Sequence, residues 1–375
     1  MYTMLKLSLL SFLSEVTVVS LAIYLPYRAF QLGANNVTAG IIGGASSIVY
    51  MFMPFAMGKL ADRFGAKNIF LLGTILLFLT SFSYFLLSNL NLIIMMRIIE
   101  GIGWAMIWPP LEAMVSSESS TVYGNLAKFN ISWGLGAALA PTLGAVIEHE
   151  SSIKYTLLFA SICMFIASLL ASTLNKTIPN IKNQANNNKN NRHSVLYSLY
   201  FTGMYGITIN VITTFFPKYA SLNSLTVVEW GSIISSLMLA RLIAFILAEG
   251  IRQRISIKNM FALFSFVSIV FPFAAIIVSS NFLILIISSA LTGFSLGLVY
   301  SAALNKMMID SFGGKGVAAG LFESSIGIGS FLGPILAGVV AMSNLWAFLL
   351  VPLATMLGGG LLGVTKRRAL SINSS

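Results

Sequence analysis

Twelve stretches of about twenty apolar residues follow one another along this chain, and that succession limits the fold more than any other feature. A helix rising about 1.5 Å per residue crosses the hydrocarbon core of a bilayer in about 20 residues. In lipid the backbone must satisfy its own hydrogen bonds, so an apolar run of that length is expected to be helical. The runs fall at 8–30, 37–58, 68–88, 91–114, 121–147 and 153–174, and then at 194–217, 227–250, 259–280, 282–305, 315–341 and 344–364. Only 9% of the 375 residues are charged, where a soluble domain carries roughly 25%. Most of the surface is therefore expected to face lipid. The first run is long enough to span and has no small-residue cleavage site followed by a polar segment, so a cleavable leader is not expected.

The net charge of +11 could indicate a polyanionic partner, but the placement of the basic residues argues against nucleic acid. With the N-terminus inside, 17 of the 22 Lys and Arg fall in cytoplasmic segments and three in outer ones (Arg28, Lys154 and Lys218). Arg97 and Arg241 lie inside runs. Positive charge retained on the cytoplasmic side explains this alternation. It predicts a multi-pass protein of the cell membrane with both termini cytoplasmic.

Between the sixth and seventh runs, residues 175–193 are polar, basic and Asn-rich, which reads as a flexible cytoplasmic linker. It would divide the chain into six-helix bundles at 1–174 and 194–375. The halves repeat each other at an offset of 191 to 193 residues. Lys67-Asn68-Ile69-Phe70 recurs as Lys258-Asn259-Met260-Phe261, and Tyr24-Leu25-Pro26 as Phe215-Phe216-Pro217. Gly101 recurs as Gly293, and Gly136 and Pro141 recur as Gly329 and Pro334, with Gly144 and Gly333 in the same runs opposite Ala337 and Ala140. Matches in register with the spans point to a duplicated six-span unit, and such halves enclose a substrate site near the bilayer midplane.

With these motifs in view, the chain resembles the major facilitator superfamily over essentially its whole length. The loop Gly58-Lys59-Leu60-Ala61-Asp62-Arg63-Phe64-Gly65-Ala66-Lys67 is similar to that family's signature between its second and third helices, with Ala66 where an arginine is usual. Arg97-Ile98-Ile99-Glu100-Gly101-Ile102-Gly103 resembles its helix-four motif. The Gly/Pro run of span five resembles a degraded form of a motif associated with antiporters. The resemblance implies an all-α fold of twelve transmembrane helices, two six-helix bundles related by a pseudo-two-fold axis. It also implies that Asp62 meets span eleven in a contact that latches one closed state. An arginine at position 66 would have paired with an acid such as Glu112. Independently, Gly58 and Gly65 would permit a tight connection between packed helices. Arg63 and Lys67 would anchor the loop on the inner side. Gly136, Pro141, Gly144, Gly329, Gly333 and Pro334 would allow close helix approach, either as plain packing or in coupling.

Ionisable residues inside a span are costly and are functional candidates. Glu15 lies about 11 Å into span one, and Arg97 and Glu100 about 9 and 14 Å into span four. Glu15 or Glu100 could exchange a proton while Arg97 meets substrate; alternatively, Arg97 and Glu100 are a buried pair that ties helices together. Arg241 is either a contact for a substrate anion or half of a structural pair. Glu323 is either functional or paired with the loop after span two. Cys163 stands alone, His149 and His193 are far apart, and Glu148-His149-Glu150 reads as a solvated loop, so no metal or other cofactor is expected. No Walker-type ATP loop or catalytic motif is present, so an enzyme is not expected. The expected activity is secondary transport of a small solute by alternating access as a monomer, coupled to protons. Export by antiport is favoured over uptake by symport or uncoupled facilitation, with a non-transporting membrane sensor as a distant reading.

Overall fold

The computed structural model describes residues 2–117, 122–174, 192–278, 280–310, 315–342 and 344–358. Among these, ten helices are long and apolar enough to cross a membrane, and a bent pair makes an eleventh. Five spans of the first half are Tyr2–Gln31, Ala66–Leu86, Leu90–Ala105 with Trp108–Ser117, Val122–Glu150 and Ile153–Ser172. Span two is the bent pair, Asn36–Tyr50 and Met53–Phe64, with 43° between its parts. Spans seven to eleven are Arg192–Leu222, Val227–Arg254, Ile257–Val267 with Val270–Ile277, Phe282–Asp310 and Lys315–Val340. Where span twelve is expected, a shorter apolar helix runs over Ala347–Gly358, and residues 359–364 of that run lie outside the described residues. So does the linker at 175–191, although Arg192 and His193 already belong to helix seven.

The sequence predicts unbroken helices for spans two, four and nine, and all three are interrupted. Proline explains each break, because its ring clashes with the carbonyl four residues earlier. Pro54, Pro109 and Pro272 each stand in the first turns of the second segment, and the preceding helices stop at Tyr50, Ala105 and Val267. Within span nine, Thr292 of span ten bridges the gap. Its Oγ accepts from the Phe271 amide at 3.0 Å and donates to the Ser268 carbonyl at 3.1 Å. Pro26, Pro141, Pro217 and Pro334 sit inside helices that continue through them.

The duplication is visible in the packing. A Cβ on Gly101 would strike the Ser46 carbonyl of span two, and one on Gly293 would strike the Leu237 carbonyl of span eight. Likewise Gly136 lies against the Phe12 carbonyl of span one, and Gly329 against the Gly203 carbonyl of span seven. The same holds between the halves, where Gly40 of span two meets the Pro334 carbonyl and Gly231 of span eight meets the Pro141 carbonyl. Span two thus packs on span eleven, and span eight on span five, as the pseudo-two-fold pair that joins the bundles.

Arg28, read from sequence as an outer-loop residue, is buried instead. Its guanidinium donates to the Tyr84 carbonyl and, at 2.6 Å, to the Leu87 carbonyl at the end of the third span. Tyr219, its counterpart in the second half, donates to the Ala275 carbonyl of span nine at 2.5 Å. At the other end of the molecule Lys67 donates to the carbonyls of Ser172 and Leu174, and Lys6 to the Thr173 hydroxyl at 2.9 Å. Both cations complement the negative end of the span-six helix.

Candidate functional site

At mid-height between the halves, Arg241 of span eight projects toward span one. It is 4% exposed. Its Nη1 donates to the Tyr205 hydroxyl of span seven at 2.6 Å. Its Nη2 stands 4.0 Å from the Glu15 carboxylate, an ion pair without a hydrogen bond. Nε and Nη2 are both buried without a partner. Trp133 of span five and Phe245 of span eight flank the guanidinium, with ring centres 5.3 and 5.9 Å from its carbon. These rings touch each other, Phe245 touches Tyr300 of span ten, and Tyr300 touches Tyr205, so an aromatic wall of four rings borders the cation.

Glu323 of span eleven lies beside this group and accepts from the Tyr50 hydroxyl at 3.1 Å. It is close enough to Glu15 for the two carboxylates to repel when both are charged. Glu112, on the second segment of span four, lies within electrostatic reach of the same Glu323. Glu15 and Glu323 thus stand at the centre, and Glu112 is linked to it through Glu323. Tyr50 and Arg241 occupy the same position of the duplicated unit, 191 residues apart, so the two copies have diverged where they face the centre.

Arg97 and Glu100 form a separate and self-contained network. Arg97 Nη1 donates to Glu100 Oε1 at 2.5 Å, Nε to the Ile42 carbonyl at 3.0 Å and Nη2 to the Gly43 carbonyl at 3.3 Å. Glu100 also accepts from Trp104 Nε1 at 2.8 Å and from the Tyr84 hydroxyl at 2.6 Å. The pair joins spans two, three and four, and neither Glu15 nor Arg241 belongs to it.

Residues 7–255 match the family described as Major Facilitator Superfamily. The chain belongs to this superfamily. It is 24% identical over 343 residues to an uncharacterized MFS-type transporter of Methanocaldococcus jannaschii, covering 85% of this chain and 87% of that one. A shorter match, 28% identical over 140 residues, is to a Salmonella newport protein that carries the provisional name multidrug resistance protein MdtD; it covers 37% of this chain and 29% of that one. In fold, the chain is similar to a mutant of the nucleoside transporter NupG, with a TM-score of 0.82, 18% identity and coverage of 98% and 99%. It is also similar to a bacterial homologue of the lysosomal transporter Spinster in an inward-facing, unoccupied conformation, with a TM-score of 0.76, 12% identity and coverage of 97% and 94%. The superfamily fold of twelve helices in two bundles is the fold of this chain, and the protein is a multi-pass membrane transporter of a small solute, not an enzyme.

In this superfamily member the loop after span two divides by residue. Gly65 takes φ +90°, a conformation that disfavours any side chain, and it joins the Met53–Phe64 helix to the third span. Gly58 lies within that helix with open space where a Cβ would stand, so the close approach expected there is absent. Arg63 is exposed, with its guanidinium over the Phe64 ring. The side chain of Asp62, expected against span eleven, lies outside the described residues. Ala66 is fully buried, and Glu112, which the resemblance associated with position 66, stands near Glu323 instead. Gly144 packs on the Tyr24 ring and Gly333 on the Ile207 backbone, so the Gly/Pro runs hold helices together in both halves. The sequence reading missed Tyr50, Trp133, Tyr205, Phe245 and Tyr300. Aromatic residues abound in an apolar chain, and only the tertiary arrangement separates these from the rest. The internal repeat carried one usable signal, since Tyr50 aligns with Arg241.

Proposed function

We propose that this protein is a proton-coupled secondary transporter of the cell membrane whose substrate site is the cluster of Arg241, Glu15, Tyr205 and Glu323. One observation carries the reading: a buried cation with two unpartnered nitrogens stands beside an acid contributed by the other half. Intramembrane charge left incompletely paired is expensive unless it is used. Residues 1–174 and 194–375 act as the two moving bodies, and the protein works as a monomer.

The end of the bundle with the connections after spans one, seven and eleven supports an alternating-access cycle. There Asn36 donates to the Ala341 carbonyl at 2.6 Å, Tyr27 and Ser221 share a hydrogen bond of 3.2 Å, and Tyr24 and Tyr27 pack on Trp230. Lys218 reaches Asn36 and lies over the Phe30 ring. Every one of these contacts joins the two halves, so this end is closed. The distribution of basic residues supports this as the outer end, with both termini cytoplasmic and the site closed to the outside. By their place along spans two, four and eleven, the half-buried Tyr50, Glu112 and Glu323 lie toward the inner end. Glu15 carries the proton, with Glu323 and Glu112 as relay acids, while Arg97 and Glu100 are a structural network. Because the Gly/Pro runs are engaged in helix packing, an antiport sense has no separate support from them.

The test is reconstitution in liposomes with a trapped pH dye and a library of small solutes. At least one solute is expected to trigger proton movement, and Glu15→Gln is expected to abolish it. Solute-triggered flux that persists in Glu15→Gln would remove Glu15 from the coupling role.

A further inference from the structure

The free edge of Arg241 identifies the chemistry of the solute and the sense of coupling at the site proposed above. Nε and Nη2 lie on the same edge of a guanidinium, and together they form the fork that binds a planar oxyanion through two parallel hydrogen bonds. That edge is the part of Arg241 without a partner, whereas Nη1 is held by Tyr205. The Tyr205 bond and the flanking rings of Trp133 and Phe245 limit how the guanidinium can turn. An apolar body attached to the oxyanion would meet the wall of Trp133, Phe245, Tyr300 and Tyr205.

Glu15 is the resident rival for the same edge. Its carboxylate is 4.0 Å from Nη2, near enough to neutralise the cation and too far to hydrogen-bond it. An arriving anion takes over the guanidinium and leaves Glu15 facing two negative groups, the new anion and Glu323. Among the described residues, the other titratable groups found to interact with the Arg241–Glu15 pair are the hydroxyls of Tyr205 and Tyr300. Ionised Glu15 would then be a buried charge without a cation, an arrangement that is strongly unfavourable. Taking up a proton removes that cost.

We propose that the solute is a small aromatic or apolar monoanion, a carboxylate or similar planar oxyanion, which binds Arg241 through Nε and Nη2 together with one proton on Glu15. The balance is simple: one anion and one proton enter and no bond in the solute changes. The site carries the same net charge empty and loaded. Anion and proton therefore travel in the same direction, as symport. This rests on the transport reading above.

The probes are benzoate, 3-phenylpropionate and indole-3-acetate, with benzylamine and benzyl alcohol as cationic and neutral counterparts. Binding to the purified protein is followed by tryptophan fluorescence and calorimetry across a range of pH. At least one anion is expected to bind, with an affinity that weakens by about tenfold per pH unit once Glu15 is ionised in the empty site. Neither counterpart is expected to bind. In Glu15→Gln the affinity should no longer depend on pH, and Arg241→Lys, which keeps the charge but loses the fork, should weaken binding at least tenfold. Arg241→Gln should abolish binding, and the Lys variant decides the matter if the Gln variant does not fold. Failure of all three anions to bind, preferential binding of benzylamine, or unchanged anion affinity in Arg241→Lys would each overturn the proposal. Labelling of Tyr27→Cys at the outer end by a thiol reagent, in a Cys163→Ser background and without any solute, reports on alternating access. If access alternates and no anion binds, only this inference falls; if access never alternates, the transport reading falls.

Discussion

Glu100 accepts hydrogen bonds from three side chains and Arg97 donates to two backbone carbonyls besides, so each charge of this buried pair is met by groups of the protein itself. Removing one partner strands the other charge in the interior. Arg97→Met should therefore lower stability by about 3–5 kcal/mol, and the double variant Arg97→Met/Glu100→Leu should recover part of that loss. Unfolding in detergent followed by near-ultraviolet circular dichroism would measure both. A second pair of variants separates two glycines of one loop. Gly65→Ala forces a side chain into a positive-φ conformation and should cost about 1–3 kcal/mol. Gly58→Ala adds a methyl group in open space within a helix and should be neutral or stabilise by about 0.5–1 kcal/mol. Equal losses at the two positions would show that the loop is sensitive for some reason other than backbone conformation. Both glycines were legible as part of a motif. Which of them needs to be glycine was not, because φ is a property of the folded connection.

Among the elements, spans two, four and nine show how proline placement acts inside a membrane. A break exposes backbone groups that lipid cannot satisfy, so another helix must supply the partner. Thr292 does this for span nine through the Phe271 amide and the Ser268 carbonyl. Thr292→Val keeps the shape and removes both bonds. It should destabilise the protein by about 1–3 kcal/mol, with faster amide exchange confined to residues near 268–272. Unaltered exchange there would mean that the break is satisfied in another way. The paired glycines test the duplication. Gly101→Leu and Gly293→Leu each push a side chain into the carbonyl of a neighbouring helix, and each should cost about 1–3 kcal/mol. Their effects should add, since the two contacts lie in different halves.

Across the whole molecule, the contacts between the halves include a set of interleaved polar and aromatic groups at the closed end. A cycle of alternating access must break them in every turnover. In a Cys163→Ser background, Tyr27→Cys/Ser221→Cys joined by a short bismaleimide should block transport, since it ties that end shut. Each single variant treated with the same reagent should remain active. Transport that survives complete cross-linking would exclude opening at this end as a step of the cycle.

The repeated apolar runs alone determined that this chain crosses a membrane many times, because helix length and backbone hydrogen bonding leave few other structures possible in lipid. The offset matches and the loop and helix-four motifs determined the superfamily fold, since those residues act locally or within one half. What the charged residues do was decided only by tertiary structure. Arg97 and Glu100 are three residues apart and meet whatever the rest of the chain does, whereas Glu15, Arg241 and Glu323 belong to three distant helices. Whether such residues meet depends on the rotation of each helix about its axis, and in a chain apolar on all sides hydropathy carries little information about rotation. The same reason hid Tyr50, Trp133, Tyr205 and Tyr300, which differ from the other aromatic residues only in the direction they face.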